Sequence, residues 1–229
     1  MIDHERDLAS LYEATERLLT DAASWDNAAV ALPSRLPGWT RGHVLAHLAR
    51  NAEALVNVLE GRPMYASAEA RDADIERDAA RPLDAQLADV RATAERLRAV
   101  ASAPADWSRV VELRNGITDS ASRLPFRRWV EVDLHHVDLD CGYELEDLPE
   151  EFVGREIEFL AERFATMGNV PPTVLRADDG RAWTTGAASG EGGVTVTGPA
   201  PDLLGWLAGR RDGSALKTEG GPLPTLPPL

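Results

Sequence analysis

The sequence predicts an α+β protein in two parts: an N-terminal four-helix bundle over residues 1–148 and a small C-terminal α/β domain over 149–229 that ends in a Pro-rich tail. Three observations predict it. Apolar residues recur at helical spacing in four segments before residue 140. β-branched runs bounded by Gly and Pro begin only beyond Pro171-Pro172. The length of 229 residues, 44% hydrophobic and 27% charged, suits one larger and one smaller globular unit.

The first helix runs from Asp3 to about Trp25. Leu8, Leu11, Leu18 and Leu19 form its apolar face, and acids gather in its first turns. Pro33 and Pro37-Gly38 mark a connector over 26–38. Thr40 is placed to cap a second helix whose stripe is Val44, Leu45, Leu48, Ala52, Leu55, Val56 and Leu59, with Gly61 as its stop. A polar segment leads to Pro82, after which Leu83, Leu87, Val90, Ala94 and Leu97 mark a third helix. Residues 101–120 are irregular by pattern. Pro125 opens a fourth helix that turns Trp129, Val130, Leu134 and Val137 to a core. A further helix spans Pro149 to Met167 through Phe152, Val153, Ile157, Leu160 and Phe164. Residues 173–177 and 194–197 read as strands separated by Asp-Gly and Gly-rich turns, and Leu203 to Leu207 as a short helix.

Charge narrows the function classes. A formal net charge of −14 lacks the basic footprint of a nucleic-acid binder and disfavours anionic membrane surfaces. A helix-turn-helix reading of 29–50 is set aside on that ground. No run of eighteen apolar residues is present, and the charged start of the chain does not resemble a secretory signal. The lone Cys141 excludes an internal disulfide framework, so a reducing cytoplasm is expected.

Among five histidines, one constellation carries chemistry. Glu131 and His135 are four residues apart, which on a helix places both side chains on one face, one turn from each other. Alone, such a pair is an ordinary solvated feature of a helix. Here it flanks the buried seam of its helix, and a second helix offers His47 beside Val44 and Leu48. Carboxylate and imidazole groups converging from facing helices are a known way to build a metal site in a bundle. His43 is the rival donor one turn earlier, and its first-turn position suits a cap or surface role instead. Asp138 is placed to orient the His135 ring. His136 points about a quarter-turn away, His4 reads as part of a loose helix end, and Cys141 as a small residue near a helix terminus. Two histidines and one carboxylate suit zinc, with nickel, cobalt or manganese as other divalent candidates, and three protein ligands leave a position open for catalysis.

The stretch Leu36-Pro37-Gly38-Trp39-Thr40-Arg41-Gly42-His43-Val44-Leu45-Ala46-His47-Leu48 resembles the Pro-Gly-Trp-Thr segment and following helix of the mycothiol-dependent maleylpyruvate isomerases, actinobacterial members of the DinB-like metalloenzyme superfamily. The resemblance makes His47, eight residues after Trp39, a metal ligand, and it matches the family's Glu-x-x-x-His pair to Glu131 and His135. It spans nearly the whole chain, and the late segment Leu203-Leu204-Gly205-Trp206-Leu207-Ala208-Gly209-Arg210 fits it too. It implies Arg210 as a holder of a substrate carboxylate, with Arg211 adjacent. It further implies a zinc-dependent cis-trans isomerase that uses mycothiol as thiol cosubstrate, with a small-molecule substrate and neither nucleic acid nor membrane as partner. The alternatives are a mycothiol-dependent S-transferase acting on an electrophile and a non-catalytic metal-binding bundle.

Overall fold

The computed structural model describes residues 3–103, 105–185 and 193–228. The chain divides into two compact units, Met1–Tyr143 and Glu144–Leu229. In the first, α1 (His4–Ala22) is followed by a single turn, α2 (Asn27–Val30), then α3 (Arg41–Leu59), α4 (Ala68–Ala79) and α5 (Leu83–Ala101). A short hairpin of β1 (Val110–Glu112) and β2 (Thr118–Ser120) precedes α6 (Leu124–Asp138). The four long helices close a bundle: α3 packs on α5 and α6, and α1 on α6 and α5. Leu11, Leu18 and Leu19 of α1, Val44, Leu45 and Leu48 of α3 and Val132 and Val137 of α6 are among its fully buried apolar side chains.

Start and stop signals act as expected. Asp3 caps α1, and the Thr40 side chain caps α3. The α3 helix ends just before Gly61, whose φ of +79° suits glycine. Pro125 sits in the first turn of α6. Gly42 has a packing role. A Cβ there would lie 2.1 Å from the carbonyl oxygen of Ala79, so only glycine lets the start of α3 approach the end of α4 this closely.

Three expectations need correction in this unit. The polar segment after Gly61 contains α4, which buries only Ile75, Asp78 and Ala79 and so shows no apolar stripe in sequence. The irregular stretch 101–120 contains the β1–β2 hairpin, whose three-residue strands leave most side chains exposed. On α6, Val130 is only half-buried, and Val132 and Asp133 are buried instead.

The second unit begins with α7 (Glu150–Ala165), capped by Pro149 and buried through Phe152, Val153, Ile157, Leu160 and Phe164. A four-stranded sheet follows: β3 (Thr173–Ala177), β4 (Ala182–Thr185), β5 (Val194–Gly198) and β6 (Lys217–Glu219), in the order β4-β3-β5-β6. β3 and β5 are parallel, with Leu175 opposite Val196, and the outer strands are antiparallel to their neighbours. β4 and β6 are additions to the sequence reading, and both are too short to show alternation. The expected Asp-Gly turn is present at Asp179-Gly180, with Gly180 at a φ of +93°. The expected Gly-rich turn at 186–192 lies outside the described residues. α8 (Ala200–Leu207) packs on α7, β3 and β5 through side chains that include Leu203, Leu204 and Leu207.

Candidate metal centre

Two polar stripes run through the apolar bundle. Along α6, Arg128, Glu131, His135 and Asp138 are spaced three, four and three apart, so they project from one face. Along α3, His43, His47 and Asn51 recur every fourth residue. α3 packs against α6, and the stripes meet.

At the meeting point, His47 Nε2 lies 2.8 Å and His135 Nε2 lies 3.3 Å from the same Glu131 oxygen, Oε2. The two imidazoles stand edge to face with centroids 4.7 Å apart. One donor atom from each of the three residues falls within 4.8 Å of the others. Tetrahedral ligands about 2.0–2.1 Å from a cation lie about 3.4 Å from each other, so this triangle suits one transition-metal ion with little movement. No fourth His, Cys, Asp or Glu joins the cluster among the described residues.

The two histidines are oriented differently. His135 Nδ1 lies 2.8 Å from Asp138 Oδ2, so its hydrogen goes to that carboxylate; Nε2 faces the cluster, as a donor to Glu131 while the ring is protonated and as a lone pair once it is neutral. Asp138 is fully buried and holds the ring in this tautomer. The Nδ1 of His47 faces Arg71 Nη2 at 3.2 Å. A guanidinium can only donate, so His47 carries its hydrogen on Nε2 and gives it to Glu131.

Ionisation follows from burial and these bonds. Burial pulls His47 down to about 4, against the opposing pull of Glu131, so the imidazole is neutral at pH 7 as a metal ligand must be. Burial also disfavours ionised Glu131, but hydrogen bonds from His135 and His47 hold its carboxyl well below the usual range. Burial opposes protonation of His135 as well, yet its bonds to Asp138 and Glu131 prevail and raise it. Behind Glu131 lies Arg128, a buried guanidinium pushed down to about 10 by burial despite the nearby Glu131 and Tyr65. Its Nη1 donates to Asn51 Oδ1 at 2.9 Å.

The remaining candidates are placed elsewhere. His43 completes a capping box with Thr40, and its Nε2 meets Glu76 Oε2 at 3.1 Å on α4. Trp39 lies beside both α3 imidazoles, with its centroid 5.6 Å from His47, and is held by the Ser34 hydroxyl on its carbonyl at 2.8 Å. Gly38, at a φ of +80°, makes the turn before it, which gives the Pro37-Gly38-Trp39 sequence a structural purpose. His136 is buried towards α1, stacked on Tyr143 with Nε2 3.0 Å from Asp21. His4 is no loose end: it stacks on Trp107 at 4.5 Å. Cys141 is half-buried with its thiol pushed up by burial, so it is not an activated nucleophile. In the second unit, Arg210 Nη1 donates to the Ala208 carbonyl at 2.7 Å, while Arg211 is tied to Asp202 and Glu146.

Asn51, Arg71 and Arg128 are contributors that the sequence reading missed. Two of them had a visible signal. Asn51 is one turn from His47, and Arg128 is one turn from Glu131, each a polar residue continuing a stripe through apolar surroundings. Arg71 comes from the unforeseen α4 and had none.

Comparison with known proteins identifies the family of the chain. Residues 11–140 match the family model described as mycothiol maleylpyruvate isomerase N-terminal domain, and residues 147–228 match the MDMPI C-terminal domain. The chain belongs to the mycothiol maleylpyruvate isomerase family. Its fold is that of a crystal structure of a mycothiol-dependent maleylpyruvate isomerase, with 28% identity, a TM-score of 0.88, and coverage of 99% of this chain and 97% of that one. A histidine-to-alanine variant described under the same name matches over the same coverage with 27% identity and a TM-score of 0.88. No protein of curated function matches in sequence. The match to the family's N-terminal domain covers the later part of α1 and all of α2 to α6, with His47, Glu131 and His135 among its matched residues.

Proposed function

We propose that the protein is a mycothiol-dependent maleylpyruvate isomerase that holds a divalent metal, preferably zinc, on His47, Glu131 and His135. The observation that carries this reading is the convergence of these three donors in a chain of this family. A divalent cation there would leave one coordination position open and lower the pKa of a thiol bound in it, so that thiolate prevails at neutral pH.

The protein's own residues prepare that site. Asp138 holds the His135 Nδ1 hydrogen, burial keeps His47 neutral, and Glu131 stays ionised. The mycothiol thiolate adds to one carbon of the cis double bond of maleylpyruvate, and the displaced electron pair moves into the conjugated carbonyl as an enolate. The former double bond is then single and rotates. Return of the electron pair expels the thiolate and leaves the trans bond of fumarylpyruvate. No oxidant or net proton is required, and the thiol is regenerated. Arg210 is proposed to hold a substrate carboxylate bidentately. An S-transferase would use the same thiolate and release the adduct.

Purified protein should contain about one divalent metal per chain and isomerise maleylpyruvate only with mycothiol. An accumulating thioether would assign the S-transferase reaction. Metal without thiol-dependent chemistry on any electrophile would leave a binding protein and overturn the enzyme reading. A reducing cytoplasm suits the free Cys141.

A further inference from the structure

A cavity of about 140 Å³ opens beside Glu131, between α3, α6 and the β1–β2 hairpin. Leu55, Leu113 and Ile117 give it an apolar wall, and Asn51 and Arg114 give it polar groups. A dry cavity of about 150 Å³ holds a benzene-sized molecule, so this space takes a small acceptor rather than a sugar-bearing thiol. A larger cavity of about 540 Å³ adjoins it through Met64, Leu113 and Arg114, which line both.

Apart from the Glu131 carboxylate at its edge, the polar side chains of the small cavity, Asn51, Arg114 and Arg127, all offer N–H donors. Asn51 is 6% exposed, and its Oδ1 accepts from Arg128 Nη1. Since the guanidinium can only donate, the amide is locked with Nδ2 on the other side, where no protein acceptor meets it among the described residues. Arg114 is exposed on the hairpin, anchored by its backbone N–H to Met64 Sδ at 3.1 Å, and its guanidinium forms no ion pair among the described residues. The neighbouring Arg127 is neutralised by Asp119 at 2.6 Å. An unpaired arginine and an orientation-locked amide beside a metal ligand are an unusual provision in a chain with 38 acidic and 24 basic residues.

We propose that this cavity is the subsite for the electrophile, and that Asn51 Nδ2 and the Arg114 guanidinium bind the carboxylate of a small unsaturated oxo-acid. The apolar wall takes the carbon skeleton, which places the double bond beside the Glu131 side of the cluster. Arg128 acts through Asn51: it fixes the amide and adds positive charge behind it without touching the ligand. This rests on the thiol-dependent reading above, but the binding of a carboxylate can be measured apart from it.

The test uses the zinc-loaded protein with maleate, a cis dicarboxylate, as calorimetric probe, in parallel with steady-state assays on maleylpyruvate. Arg114→Met removes the charge at an exposed position. Asn51→Asp keeps the acceptor for Arg128 and replaces the free donor with a repelling oxygen. Each should weaken maleate binding and raise the KM for maleylpyruvate roughly 10- to 100-fold, with zinc content and the KM for mycothiol unchanged and partial rescue by Arg114→Lys. Equal maleate affinity in wild type and both variants overturns the proposal, as does a wild type that does not bind maleate. A rise in the KM for mycothiol alone also overturns it, because the cavity would then hold the thiol. If maleate binding depends on Arg114 while wild type turns over no maleylpyruvate, the subsite stands and the reaction assignment fails.

Discussion

His43 and His47 sit one turn apart on α3, share Trp39 as a neighbour, and each faces a glutamate at about hydrogen-bond distance. The His43 pair ends there. Its glutamate side chain on α4 is 80% exposed, its Nδ1 is spent on the helix cap, and no other donor converges on it among the described residues. The His47 pair lies inside the bundle, where the same glutamate oxygen also meets His135, and Asp138 holds that second ring. The difference teaches that a His–carboxylate contact alone does not make a metal centre. A third donor, burial that keeps His47 neutral, and a carboxylate holding the second ring are what the His43 pair lacks.

The contrast can be broken most severely by His47→Ala. Loss of metal, measured by elemental analysis, should accompany a fall in thiol-dependent turnover on the order of 1,000-fold or more, since the metal contributes several kcal/mol. A His47→Ala protein that retained metal would place the site elsewhere. Asp138→Asn leaves all three donors but removes the charge that orients His135. Zinc affinity, read by competition with a chelator, should fall roughly 10- to 100-fold.

Arg71 sharpens the comparison from the other side. Metal on His47 Nε2 requires the ring hydrogen on Nδ1, where it would face the Arg71 donor now seated there. Arg71 must therefore turn away on loading, and Arg71→Met should tighten zinc binding by roughly 3- to 10-fold through removal of a competing donor and a nearby like charge. Weaker binding in that variant would show that Arg71 supports the loaded site. The smallest effect belongs to His43→Ala. It should leave metal content and turnover intact and cost about 1 kcal/mol or less of stability through the capping box, seen as a small drop in Tm.

Legibility tracked the physical origin of each element. α1, α3, α6 and α7 bury broad apolar faces, so their periodicity was plain, and Thr40 and Pro125 marked true starts. α4 was illegible because Ala68–Ala79 is polar nearly all round and is held by packing on α3. The β1–β2 hairpin and the edge strands β4 and β6 are too short for alternation to show, and they draw stability from neighbours. Within the site, the candidate ligand types and their i, i+4 spacing are visible in sequence. Spacing alone leaves His43 and His47 both open, the family motif favours His47, and the packing of α3 on α6 brings His47 to Glu131.

The sequence by itself determined which faces of the long helices are apolar and which polar residues interrupt them, because side-chain direction along a helix follows from residue number alone. It thereby set Glu131 and His135 on one face and His47 on another helix. Only the tertiary structure decided that those faces meet on one glutamate oxygen, that Asp138 and Arg71 impose different tautomers on two similar rings, and that Arg128 locks the Asn51 amide outward. Periodicity fixes direction, but distance between helices and the hydrogen-bond partner of each ring depend on packing from residues far apart in the chain.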